Sequence, residues 1–145
     1  MRVALDTNVL VSAVATRGLC ADVFNLILAE HELIVGETVL AELKRVLRQR
    51  IRVPVHVVEE VDALLRQEAT VIPKAEPLGL RIRDKSDLAV LSESVAGRAE
   101  VLVTGDKDLL ELSTRPPVQV MTPRAFWEQL RREARSRRRA SRCRR

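Results

Sequence analysis

Short blocks of consecutive apolar residues alternate along this chain with longer stretches in which apolar positions recur every three or four residues. The first pattern suits strands buried on both faces and the second suits amphipathic helices. Their alternation predicts an α/β domain, a parallel sheet flanked by helices on both faces. Arg2–Leu5, Leu33–Val35, Thr70–Ile72, Val101–Val103 and Val118–Met121 read as strands. Ala21–Ala29 reads as a helix, as do a segment from the N-cap Thr38 to Gln49, Pro54–Glu68, a stretch from Asp84 to Gly97, and a short turn at Asp106–Glu111. Gly97 suits a left-handed C-cap, and Thr122 before Pro123 is a helix start with proline in the first turn. Pro73–Leu80 and Arg115-Pro116-Pro117 read as loop and punctuation, and no internal repeat is visible.

Composition narrows the picture. At 145 residues the chain suits one domain with a core large enough to need no disulfide or structural metal. Phe24, Phe126 and Trp127 are the only aromatics, too few for a row of base-stacking platforms. The net charge of +5 is unevenly spread. Residues 131–145 carry nine Arg and one Glu, a net of +8, which leaves residues 1–130 with sixteen basic and nineteen acidic side chains, a net of −3. The chain therefore divides into a domain over 1–130 and an Arg-rich tail over 131–145, expected to be disordered. Cys20 and Cys143 share no ligand or redox spacing, which suits a reducing, cytoplasmic setting. The opening MRVALDTNVLVSAVA resembles a secretory leader, but Asp6 and Asn8 interrupt it and a strand fits better. No stretch reaches the roughly 20 apolar residues of a membrane span.

The candidate chemistry is carboxylate. Asp6 follows one buried strand and Asp106 follows another through Thr104-Gly105. Ligands of open parallel sheets bind beyond the carboxyl ends of the strands, so the two acids meet if those strands are neighbours. Glu42 falls on the border of the stripe Leu40, Leu43, Val46 and Leu47, from which a side chain can reach a cleft. Asp87 shares a face with Leu91, four residues on, in a helix whose stripe is Leu88, Leu91 and Val95. Clustered acids repel by roughly 4 kcal/mol per pair at 4 Å, so the group needs a counter-charge. Oxygen-only donors select a hard ion such as Mg²⁺ or Mn²⁺. Each acid also has a plain structural reading: capping for Asp84 and Asp87, solvation for Glu42, turn chemistry for Asp106 and Asp108. Asp6 has the fewest such readings.

The segments ALDTNVLVSA, TVLAELKRVL, RDKSDLAVLSES, VLVTGDKDLL and TPRAFWEQL resemble the acidic blocks and the closing helix of PIN-domain nucleases over residues 1–130. That resemblance implies a sheet of strand order 3-2-1-4-5. It implies metal-binding and catalytic roles for Asp6, Glu42, Asp87 and Asp106, with Asp6 and Asp106 holding the principal ion. Asn8, Asp84, Thr104 and Asp108 become auxiliary positions. It further implies an endoribonuclease using one or two Mg²⁺ or Mn²⁺ ions, similar to VapC-type toxins: a homodimer with an RNA substrate and a cognate antitoxin. Arg137, Arg138 and Arg139 of the tail are the expected phosphate contacts. The rival readings are a non-catalytic nucleic-acid-binding module and two phosphoryl-chemistry folds. A dehalogenase-like phosphatase wants a second Asp where Asn8 stands, and a receiver domain wants an Asp and Lys on later strands that do not emerge. His31 and His56 lie outside the acidic blocks.

Overall fold

The computed structural model describes residues 1–79, 84–112 and 117–144. Leu80, Arg115 and Pro116, at the ends of the two segments read as loop and punctuation, lie outside these. β1 (Arg2–Leu5) leads into α1 (Thr7–Ala15) and α2 (Leu19–Glu30), then β2 (Glu32–Gly36), α3 (Glu37–Gln49), α4 (Val55–Glu68) and β3 (Thr70–Ile72). After α5 (Lys85–Ala96) come β4 (Val101–Val103), the single turn α6 (Lys107–Leu110), β5 (Gln119–Met121) and α7 (Pro123–Cys143). All strand pairs are parallel, in the order β3-β2-β1-β4-β5. The fold is therefore the expected α/β sheet, with β1 at its centre.

The reason lies in the apolar blocks. Val3, Ala4 and Leu5, Leu33 to Val35, and Val101 to Val103 are all buried, as strands covered on both faces must be. Helices supply the covers: Val23 and Ile27 from α2, Leu40, Leu43 and Leu47 from α3, Leu91 from α5 and Phe126 from α7. Burying each large side chain contributes about 1.5–3 kcal/mol. No single helix among the described residues is long and apolar enough to cross a membrane.

Four local expectations differ from the structure. The strand Arg2–Leu5 lies where it was read, but the residues after it, given no element, form α1, which Asp6 caps by accepting the Thr7 N–H. α3 starts at Glu37, with Gly36 rather than Thr38 at its N-cap. Gly97 is the C-cap of α5 but has φ −78°, and the left-handed residue is Arg98 at φ 55°. Gly97 is instead dictated by space, because a Cβ there would sit 2.7–2.8 Å from Ile34 and Ile72 carbons. Finally, α7 continues unbroken through Cys143, so the segment expected to be disordered from Arg131 is helical. Arg and Ala are strong helix formers, and Thr122 starts the helix by accepting the Ala125 N–H at 3.1 Å.

Candidate metal centre

β1 and β4 are hydrogen-bonded neighbours, with Leu5 opposite Val103, so the residues leaving their carboxyl ends are brought together. The Asp6 N–H donates to the Val103 carbonyl at 3.0 Å. Its side chain is buried and held from two sides: Oδ1 accepts the Thr7 N–H at 2.7 Å and Oδ2 accepts the Thr104 hydroxyl at 2.7 Å. The same Thr104 oxygen accepts the Asp106 N–H at 3.0 Å. One fully buried hydroxyl thus fixes both acids.

Asp106 caps α6, its Oδ1 accepting the Asp108 N–H at 2.8 Å. Asp87 enters from the first turn of α5, whose start is set by Asp84 accepting the Ser86 N–H at 2.7 Å. Asp87, Asp106 and Asp108 each offer a carboxylate oxygen, and the three atoms lie within 4.8 Å of one another. At that spacing a fully charged pair repels by roughly 3–4 kcal/mol at the effective dielectric of a protein surface. Burial first, then repulsion from Asp106 and Asp84, pushes the Asp87 carboxyl up to about 7, where it shares a hydrogen bond with Asp106. Asp6 is also raised by burial, although its bonds to Thr104 and Thr7 oppose the rise, and Asp106 and Asp84 add repulsion. No Lys or Arg pairs with any of these acids among the described residues. Hard oxygens in a tight, uncompensated group are the donor set a divalent ion such as Mg²⁺ or Mn²⁺ fits.

Not every sequence-derived position joins the triad. Glu42 is half-buried on α3, accepts the Thr7 hydroxyl at 3.3 Å and stands 3.9 Å from the Arg45 guanidinium. Among the described residues it is linked to the acids through Thr7, which bridges it to Asp6. Asn8 is exposed on the first turn of α1. Asp108, read as auxiliary, lies inside the triad, while Asp6 stands beside it. His31 ends α2 just before the amino end of β2, and His56 is exposed on α4.

Two residues escaped the sequence reading. Thr7 left no signal beyond following Asp6. Glu93 hid inside the helix pattern of α5, where Val90, Leu91, Ser92, Glu93 and Ser94 are all buried and Leu88 and Val95 only partly so. α5 is wedged between the sheet and α3, so its buried face is far wider than one stripe. Glu93 Oε1 accepts the Thr38 N–H at 3.0 Å in the first turn of α3, and its Oε2 has no partner. Burial raises its pKa, against the bond to Thr38. Gly36 makes room for it, since a Cβ there would lie 2.7–2.8 Å from Glu93 side-chain atoms.

The fold and the acids define a class: a parallel α/β domain with a hard-metal type of carboxylate site at the carboxyl end of its central strands. The PIN-domain family profile matches residues 2–108, and the chain belongs to that family. Among solved structures, it is similar to a chain of VapBC2 from Rickettsia felis bound to a promoter DNA fragment. That match has TM-score 0.63 and 22% identity, covering 83% of this chain and 97% of that one. VapBC-1 from nontypeable Haemophilus influenzae matches with TM-score 0.57 and 17% identity over 85% and 98%. FitAcB from Neisseria gonorrhoeae matches with TM-score 0.54 and 18% identity over 83% and 97%. No curated protein matches the sequence significantly.

Proposed function

We propose that this chain is an Mg²⁺- or Mn²⁺-dependent endoribonuclease, the toxin of a cytoplasmic toxin–antitoxin pair. The observation that carries this reading is the convergence of Asp87, Asp106 and Asp108 within 4.8 Å, beside a pre-oriented Asp6. Asp87, Asp106 and Asp108 would hold the ion directly. Asp6 completes or orients its shell, and Glu42 acts through Thr7 or on water at the edge. A bound divalent ion lowers the pKa of a coordinated water and neutralises charge developing on a phosphodiester. The residues supply position: Thr104 holds Asp6 and the backbone of Asp106 in one geometry, as supporting partners of metal ligands do.

A groove lined by Thr38, Glu42, Arg45, Lys74 and Ser86 borders the Glu42 side of the site. Arg45 and Lys74 offset the acidic body there, which suits an incoming phosphate backbone. The likeness in fold to chains of VapBC complexes supports a cognate antitoxin as partner, and a homodimer belongs to the same reading. Purified protein incubated with RNA tests the chemistry. Cleavage is expected with Mg²⁺ or Mn²⁺, none with excess chelator, and a loss of at least about a hundredfold in Asp6→Asn and in Asp106→Asn. Equal cleavage by wild type and both variants overturns the assignment, and no cleavage under any condition favours a non-catalytic binding module. Sedimentation of the chain alone tests the dimer.

A further inference from the structure

α7 starts beside the acids and ends at the other end of the sheet. Its N-cap, Thr122, directly follows Met121, whose carbonyl accepts the Thr104 N–H at 3.0 Å, so the helix begins at the carboxyl end of the strands. Further along, Trp127, Leu130, Glu133 and Arg137 share a cavity with His31. His31 lies at the amino end, where the Glu32 N–H donates to the Met1 carbonyl. From Pro123 to Arg137 the helix rises about 21 Å, and the five steps from Met1 to Asp6 along β1 span about 17 Å. The arginines beyond Arg137 therefore lie about 20 Å or more from the carboxylates.

Their placement around the helix is not uniform. Phe126 and Leu130 face the core. At 100° per residue, Arg132, Arg135, Arg138, Arg139 and Arg142 fall within about 120° of one another, on the side opposite Phe126 and Leu130; Arg131 falls in the same arc but lines the cavity beside His31 and is not counted with them. All five are exposed, and four of them line a shallow groove with Ser141. Arg137, by contrast, lies on the packing side next to His31. Over residues 131–144 the helix carries eight Arg and one Glu, and its only apolar residues are Ala134, Ala140 and Cys143. A helix that lies in a membrane interface needs a large apolar face, which this one lacks.

We propose that the stripe Arg132, Arg135, Arg138, Arg139 and Arg142, which runs from about 14 to about 29 Å along α7 from Pro123, is an RNA-binding exosite, separate from the acidic centre, that holds a distal part of the substrate strand. Resting on the nuclease reading, it amends the expected contact set: Arg138 and Arg139 belong to the stripe and Arg137 does not. The acidic body gives the site its use, since residues 1–130 are net −3 and repel a polyanion that the helix attracts.

The test is equilibrium binding of a 20-nucleotide RNA to the full-length Asp106→Asn chain in chelator, from low to high salt, so that no catalysis is needed. Replacing Arg135, Arg138, Arg139 and Arg142 together by Gln is expected to weaken binding at least about tenfold at 0.1 M salt. The same variant is expected to lower the salt slope by about 3, as four lost contacts to a single strand require. The matching fourfold Lys variant is expected to keep the slope, and a charge-matched control at Arg17, Arg48, Arg50 and Arg98 to leave it unchanged. Circular dichroism confirms that each variant remains helical. An unchanged slope in the Gln variant, or an equal loss in the control, overturns the exosite whether or not the wild type cleaves RNA. Tighter binding of duplex DNA of the same length overturns the assignment to RNA. Retained stripe binding in a wild type that cleaves nothing refutes the nuclease reading alone.

Discussion

Replacing Asp87 with Asn is expected to stabilise the metal-free protein at pH 8, although the same change removes a proposed metal ligand. In the folded chain burial and the neighbouring Asp106 and Asp84 push the Asp87 carboxyl up to about 7, against about 3.9 in an unfolded chain. Between those values the native state holds more protons than the unfolded state, so stability is fully present below about pH 4 and is lost as pH rises through 7. A shift of about three units corresponds to roughly 4 kcal/mol at most. Asp108 is exposed and Asp106 half-exposed, so solvent and salt screen much of the repulsion, and about 1–2 kcal/mol is the expected gain. For a chain of this length that is about 3–6 °C in Tm. The assay is thermal unfolding of wild type and D87N in chelator at pH 4.5 and pH 8, then with added Mg²⁺. D87N melts higher at pH 8, the difference shrinks at pH 4.5, and Mg²⁺ raises the wild type by more than the variant because binding to the native state alone adds stability. A variant less stable than wild type at pH 8 without metal, or a difference independent of pH, refutes the electrostatic account.

Other consequences follow from single contacts. Thr104→Val leaves the Asp6 carboxylate and the Asp106 N–H without their shared partner; about 1–3 kcal/mol in urea unfolding and about 10- to 100-fold in RNA cleavage are the expected losses, and unchanged cleavage argues against a positioning role. Gly97→Ala forces a methyl against Ile34 and Ile72 at 2.7–2.8 Å, with a cost of about 1–3 kcal/mol read by the same unfolding curves. Glu93→Gln keeps an acceptor for the Thr38 N–H while removing a buried charge, so its melting temperature is expected to depend less on pH than that of the wild type above the ordinary glutamate range. Equal pH profiles show that Glu93 does not titrate as burial requires. Thr122→Ala removes the cap of α7 and is expected to cost about 1 kcal/mol, visible as a lower urea midpoint.

Much of this protein is legible in local pattern. Runs such as Val101-Leu102-Val103, short and rich in Val between turn residues, read as buried strands, and Asp84 and Thr122 announce helix starts through chemistry that acts over two or three residues. Acids placed just after Leu5 and Val103 already indicated a shared site, because strand ends in a parallel sheet point to one edge. What local pattern could not decide was every relation between elements distant in the chain. Asp108 entered the triad because α6 turns Asp106 and Asp108 toward α5. Glu42 was drawn to Thr7 because α3 packs on α1. Glu93 became buried because α5 is wedged between β2 and α3. The arginine stripe was visible as composition, yet its distance from the carboxylates came only from the path of α7 along the sheet. Periodicity and capping depend on neighbours a few residues away, whereas the meeting of side chains depends on strand order and helix packing, which fix positions through contacts as much as 98 residues apart.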